Sequence, residues 1–206
     1  MYNDITGIIL AGGKSTRMGQ DKSFLKFGNH TVIEHAAELM KSLFNDVKII
    51  TNETEKYKFL ELDCYEDIFK GNGPLGGIHS GLYHSSTELN FVISCDIPLI
   101  TKDVIEFIIN HKDNYSAVVT KADGFIQQLC GLYSKILLPE IEKLIESSQD
   151  EVRNNAQHKR KCMVLSLIDS VNSKIIDIEN EYADYKSGTF FNINKPGDYE
   201  QALKLI

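Results

Sequence analysis

Leu10-Ala11-Gly12-Gly13-Lys14-Ser15-Thr16-Arg17-Met18-Gly19-Gln20-Asp21-Lys22 stands directly behind a short apolar run, Ile5 to Leu10. The run has the length and composition of a buried strand. The glycine pair at its carboxyl end lets backbone N–H groups turn inward and approach a polyphosphate closely. Arg17 and Lys22 add cations that a neutral turn lacks. A strand feeding a basic, glycine-rich loop opens an α/β fold whose ligand sits beyond the strand tip. A turn that merely joins strand to helix accounts for the glycines but not for Arg17 and Lys22.

A Walker A loop is the competing reading, because Gly13-Lys14-Ser15 resembles its ending and Phe91 to Asp96 resembles an apolar strand closing in an aspartate. That loop needs four residues between its two glycines. Ending it on Gly13 would require glycine at position 8, which is Ile8; starting it from Gly7 puts Gly13 where the lysine must be. A one-residue slip moves the lysine off the phosphates. No G-x-G-x-x-G fingerprint is present either.

Working outward, Thr31 to Phe44 has helical period, with Ile33, Ala36, Ala37, Met40 and Phe44 on one face and Thr31 and Glu34 spaced as a capping box. Asp46 to Thr51 reads as the next strand, Phe91 to Cys95 as another, Val104 to Ile109 as a helix and Ala117 to Thr120 as a strand. This alternation predicts an α/β, Rossmann-like three-layer sandwich around a mostly parallel sheet. Gln127 to Tyr133 is expected as a strand with room for mixed directions. Pro139 is expected in the first turn of a helix running to about Ile145, and polar residues 147–161 as a mobile stretch. Phe190 to Ile193 is expected as a last strand, and Pro196 as the start of a terminal helix with Tyr199, Ala202, Leu203 and Ile206 inward. The 206 residues read as a single domain, 1–206, with 42% hydrophobic and 25% charged residues, close to globular averages.

The formal charge of −7, with no dense Lys/Arg cluster, argues against a nucleic-acid partner. Cys64, Cys95, Cys130 and Cys162 are scattered singly and read as reduced thiols. Neither a signal peptide nor a membrane span is legible, so a cytoplasmic protein is expected. His79 and His84, five apart, do not share a helix face and read as structural.

The glycine-rich segment resembles the signature loop of the MobA-like nucleotidyltransferase family, in the branch whose loop ends in Asp-Lys rather than the Pro-Lys of sugar-phosphate enzymes. Asp67, Gly73-Pro74-Leu75-Gly76-Gly77, Ser94-Cys95-Asp96-Ile97-Pro98, Gly131-Leu132-Tyr133 and Asn192-Ile193-Asn194-Lys195-Pro196 come in the family's order. The resemblance implies a fold of the nucleotide-diphospho-sugar transferase type. It also implies transfer of GMP from GTP to molybdopterin with loss of pyrophosphate, in a monomer that uses Mg²⁺. Other molybdenum cofactor biosynthesis proteins or the apo-molybdoenzyme are candidate protein partners. Cytidylyl or sugar-phosphate transfer on the same loop is the alternative activity, and a nucleotide-binding regulatory module the alternative class. Family members carry Gln-Pro where this chain has Gln127-Gln128, a difference on the acceptor side.

In such a reaction a phosphate oxygen of the acceptor attacks the α-phosphorus in line, so the catalysts needed are cations and a metal rather than a protein nucleophile. Arg17 and Lys22 fit that role; surface charge is the plainer reading. Asp96, at the end of an apolar strand, suits Mg²⁺, which keeps waters and takes its other oxygens from phosphates. A turn aspartate is the alternative there. In the resembled family this aspartate binds both metal and nucleotide. Guanine offers N1–H and N2–H₂ side by side to a carboxylate, for which Asp67 is the candidate. The resemblance adds Leu10, Ala11, Gly12, Gly13, Asn52, Pro74, Leu75 and Gly76 to the nucleotide side, and Asn192 and Asn194 to the acceptor side. Plain turn roles for Asn52 and Asp67, and capping chemistry for Asn192 and Asn194, stay open.

Overall fold

The computed structural model of the chain describes residues 1–12, 21–154 and 163–205, without the side chains of 149–154 and 163. Strand β1 (Tyr2–Leu10) is longer than its apolar run and is flanked by β4 (Phe44–Ile50) and β6 (Leu89–Ser94), both parallel to it. Its two faces serve different layers: Ile9 packs with helices α1 (Val32–Leu43) and α3 (Lys102–Ile109), Ile8 and Leu10 with α2 (Gly73–His84), α4 (Leu138–Asn154) and α5 (Met163–Ser170). The result is a three-layer sandwich. A two-stranded hairpin, β2 (Lys26–Phe27) and β3 (His30–Thr31), turns through Gly28 at φ +62° and delivers Thr31 to the start of α1. There the Thr31 side chain accepts the Glu34 N–H, and Glu34 reaches back to the Thr31 N–H at 2.6 Å, completing the capping box.

The sheet has seven strands in the order β5-β4-β1-β6-β8-β7-β9, with β5 (Asp63–Tyr65) at one edge and β9 (Ser173–Asp177) at the other. β8 (Phe125–Ser134) runs antiparallel to β6 and to β7 (Ala117–Ala122), while β9 is parallel to β7. Register aligns the strand tips. Leu10 stands opposite both Ile50 and Ser94, and Ile50 opposite Tyr65, so four parallel strands end on one line. β8, running the other way, pairs Cys130 with Ile93, so residues 125–128 continue past that line.

α2 lies close on β1 because it carries glycine where the two meet. A Cβ at Gly81 would come 2.7 Å from Ile8 Cγ2, and one at Gly77 would come 3.2 Å from Leu10 Cδ2.

Several expectations are corrected. Residues 190–193 form no strand: Phe190 and Ile193 are buried in two separate clusters, and Ile193 is tied to the sheet by one backbone bond to Asp96. The edge strand is β9 instead, followed by the short helix α6 (Ile178–Glu181). α4 runs to Asn154, through the beginning of the stretch expected to be mobile; residues 155–162, and Cys162 among them, lie outside the described residues. The terminal helix α7 (Pro196–Ala202) buries Ala202, but Leu203 is exposed and Ile206 lies outside the described residues. Cys95 and Cys130 are buried and Cys64 half-buried, all three as free thiols.

Candidate active site

The shared strand edge explains which side chains meet. The residues just beyond Leu10, Ile50, Tyr65 and Ser94 are brought side by side, and these are Ala11, Asn52, Asp67 and Asp96. Backbone bonds close the line: Ala11 N–H donates to the Ile50 carbonyl at 2.9 Å, Thr51 N–H to Tyr65 at 2.9 Å and Cys95 N–H to Leu10 at 3.1 Å. The Leu10 carbonyl is thus engaged within the sheet, and its side chain packs under α2, which narrows the contact expected of it.

Two groups of polar residues stand along this edge. In the first, Asn52 Nδ2 donates to Asp67 Oδ2 at 2.8 Å and Asp67 N–H donates to Asn52 Oδ1 at 3.3 Å. The two candidates for base recognition therefore hold each other. Asp67 Oδ1 faces the first turns of α2, where a Cβ on Gly77 would stand 3.7 Å from it. α2 begins with Gly73 and Pro74, and the side chain of Asn72 does not cap it but donates to the Phe69 carbonyl at 3.0 Å. Its first N–H groups carry the positive end of the helix toward the same edge. Leu75 is fully buried in the core, so only its backbone is available to a ligand.

In the second group, Lys22 forms an ion pair with Asp96. The other carboxylate oxygen, Asp96 Oδ1, accepts from the Ser94 hydroxyl at 2.5 Å. The Asp96 backbone carbonyl accepts the Ile193 N–H at 2.9 Å. Ile193 is buried while Asn192 and Asn194 on either side of it are more open, so both asparagines stand beside the strand tip. They differ in use. Asn192 lines a cleft of about 420 Å³ together with Ile97, Phe125, Gln127, Leu129 and Phe190, whereas the Asn194 N–H is taken by the Asp198 carboxylate at 3.0 Å, as part of the cap on α7. The cleft wall is the part of β8 that overshoots β6. Gly13 and Arg17 lie outside the described residues.

Asp96 offers hard oxygen, and no group of three or more His, Cys, Asp or Glu that could hold a metal occurs among the described residues. A single carboxylate of this kind fits an ion that keeps its waters and draws further oxygens from phosphate, and does not fit a closed thiolate or imidazole site. The histidines belong elsewhere. His79 is buried against the outer layer with Nε2 3.0 Å from Glu142 Oε1, and His84 stacks on Tyr65. Ser94 received no role from the sequence, although its spacing two residues before Asp96 is what allows the hydroxyl to reach the carboxylate.

Residues 7–161 match the family described as the MobA-like NTP transferase domain. The chain belongs to that family. A protein of Carboxydothermus hydrogenoformans named "Probable molybdenum cofactor guanylyltransferase" is 33% identical over 98% of this chain and 97% of its own. One of the same name from Clostridium perfringens strain 13 is 35% identical, covering 95% of this chain and 94% of its own. Among solved structures, the molybdopterin-guanine dinucleotide biosynthesis protein A of Archaeoglobus fulgidus matches with a TM-score of 0.78 and 23% identity over 97% of both chains. A 4-diphosphocytidyl-2C-methyl-D-erythritol synthase of Anaerococcus prevotii matches with a TM-score of 0.69 at 14% identity, over 98% of this chain and 96% of that one. At those identities the likeness is one of fold. The MobA-like domain here has the nucleotide-diphospho-sugar transferase architecture, and all of the described edge residues fall within the matched span except Asn192 and Asn194.

Proposed function

We propose that this MobA-like domain is a molybdenum cofactor guanylyltransferase that transfers GMP from GTP to molybdenum-molybdopterin and releases pyrophosphate. The observation that carries the reading is the convergence of Lys22 and Asp96 at the strand edge, between the Asn52–Asp67 pair on one side and an open cleft on the other. The names of the full-length relatives support the same activity.

In this reading Asp67 accepts from guanine N1–H and N2–H₂, oriented by Asn52, with the backbone at Leu10, Ala11 and Pro74 to Gly76 against the base and ribose. Gly12, Gly13, Arg17 and Lys22 take the triphosphate. The acceptor lies in the cleft beside Asn192 and Asn194. A terminal phosphate oxygen of the acceptor bonds to the α-phosphorus while the bond from that phosphorus to the bridging oxygen of the β-phosphate breaks. The pyrophosphate leaves with the electron pair. The attacking phosphate is already ionised near pH 7, so no protein base is required. The Lys22 ammonium neutralises charge that grows on the phosphate oxygens, and the edge holds it ready. Asp96, steadied by Ser94, would hold Mg²⁺, which supplies charge neutralisation across the phosphates when bound.

The chain acts as one domain, monomeric and cytoplasmic; among the described residues no helix is long and apolar enough to cross a membrane. Other molybdenum cofactor biosynthesis proteins or the apo-molybdoenzyme are the partners to which the product would pass. Incubation with GTP, Mg²⁺ and molybdopterin-loaded material, followed by mass analysis, should give the guanylylated pterin and pyrophosphate. Equal product from CTP would remove the assignment of the base, and full turnover by Asp96→Ala would remove the metal role.

A further inference from the structure

Directly behind the Lys22–Asp96 pair is a second, buried link between the same two segments. Lys22 opens a 3-10 turn, Lys22–Phe24, and Asp96 comes after Cys95 at the tip of β6. One residue further in, Ser23 Oγ lies 3.5 Å from Cys95 Sγ. The two segments are therefore joined by two adjacent rungs, one charged and partly exposed, one neutral and buried. The Tyr57 hydroxyl, from the 3-10 segment Thr54–Leu60, donates to Ser23 Oγ at 3.3 Å. Ser23, Tyr57 and Cys95 are all buried, at 3%, 2% and 4% exposure, so water does not replace these bonds if one is lost. The Tyr57 ring also packs against that of Phe24, the residue after Ser23, centroids 5.4 Å apart.

Burial raises the Tyr57 phenol, so it stays protonated at any working pH. Tyr57 is then a donor, Ser23 Oγ its acceptor, and the Ser23 proton is free to point at sulfur. The turn has other ties, since Phe24 packs on the core and near Phe59 and Asp21 Oδ2 lies 3.8 Å from Lys56 Nζ, but these do not reach the tip of β6 where Asp96 stands. Asp21 Oδ1 accepts the Ser23 N–H at 3.1 Å, but that bond lies inside the turn and does not fix it to the sheet.

We infer that Tyr57 is a positioning residue for transfer: by holding Ser23 against Cys95, it sets the turn that carries the Lys22 ammonium in place at the Asp96 carboxylate. The inference rests on the reading of Lys22 as the phosphate cation, but its physical half can be measured without any substrate. Lysine amines held in an ion pair react slowly with acetic anhydride. Tyr57→Phe, which keeps the ring and its contact with Phe24, should raise the acetylation rate of Lys22 about 3-fold or more relative to the other lysines, read by peptide mass spectrometry. An unchanged rate overturns the positioning role, whatever the enzyme transfers. With GTP and acceptor, the same variant should lower kcat about 3- to 10-fold, the worth of one neutral hydrogen bond, with KM for GTP unchanged. In a Lys22→Ala background Tyr57→Phe should then change nothing further. An undiminished loss in that background, a wild-type kcat in Tyr57→Phe, or a rise in KM alone would each overturn the catalytic consequence.

Discussion

At the scale of single residues, Lys22 and Asp67 do different work and should fail differently. Lys22 is already paired with Asp96, so its ammonium adds little to ground-state affinity and most to the charge that builds during transfer. Lys22→Ala should lower kcat by about 10²- to 10³-fold, the range seen when one preorganised charge-stabilising donor is removed, with KM for GTP changed far less. A pure KM effect in steady-state kinetics would contradict this. Asp67→Asn keeps the size of the side chain and the bond from its own N–H to Asn52, but turns a double acceptor into a mixed group facing guanine. GTP affinity by titration should fall about 10- to 100-fold, as for loss of a hydrogen bond to a charged group, and discrimination against other nucleotides should narrow. The ion pair of Lys22 with Asp96 was not legible in the sequence. Each residue could be singled out from its own surroundings, but they are 74 positions apart and only the ends of β1 and β6 bring them together.

At the scale of elements, α2 shows how the site is set by packing. Gly77 and Gly81 let the helix sink onto β1 until its amino end reaches Asp67, and Gly81 faces Ile8 with no spare room. Gly81→Ala must push Ile8 or the helix aside. It should destabilise the protein by about 1–3 kcal/mol, the usual penalty for an extra methyl in a filled core, seen as a drop in the thermal midpoint of roughly 2–12 °C. A midpoint equal to wild type would mean that the helix has slack. Elements with strong local signals matched expectation. α1 has its capping box and a continuous apolar face, and each apolar strand run in the first two thirds became a strand. Those that failed were decided by distant partners. β9 buries only Ile176 and is ordered by pairing with β7, while the apolar residues 190–193 are divided between two clusters and have no strand to join.

For the whole molecule, one pH dependence arises from two histidines whose charged form is disfavoured by their surroundings. Burial lowers the pKa of His35, and it lowers that of His84, where the nearby Lys48 ammonium acts in the same direction. An unfolded histidine takes up its proton near pH 6.5, whereas these two resist it to lower pH. Below about 6.5 the unfolded chain therefore binds more protons than the native one, and stability falls as pH drops through that window. The thermal midpoint should be lower at pH 5.5 than at pH 7.5, and the difference should shrink in His84→Phe, which keeps the stack on Tyr65. A flat profile in the native protein would show that the unfolded and folded imidazoles titrate together.

The reversal of β8 has a consequence for how such a protein can change over generations. On the assignment proposed, what lies before that strand, as far as Asp96, is concerned with the nucleotide, and the wall that overshoots the edge belongs to whatever receives it. Descendants can remodel the second region, through hairpin length or a few cleft side chains, without disturbing the first.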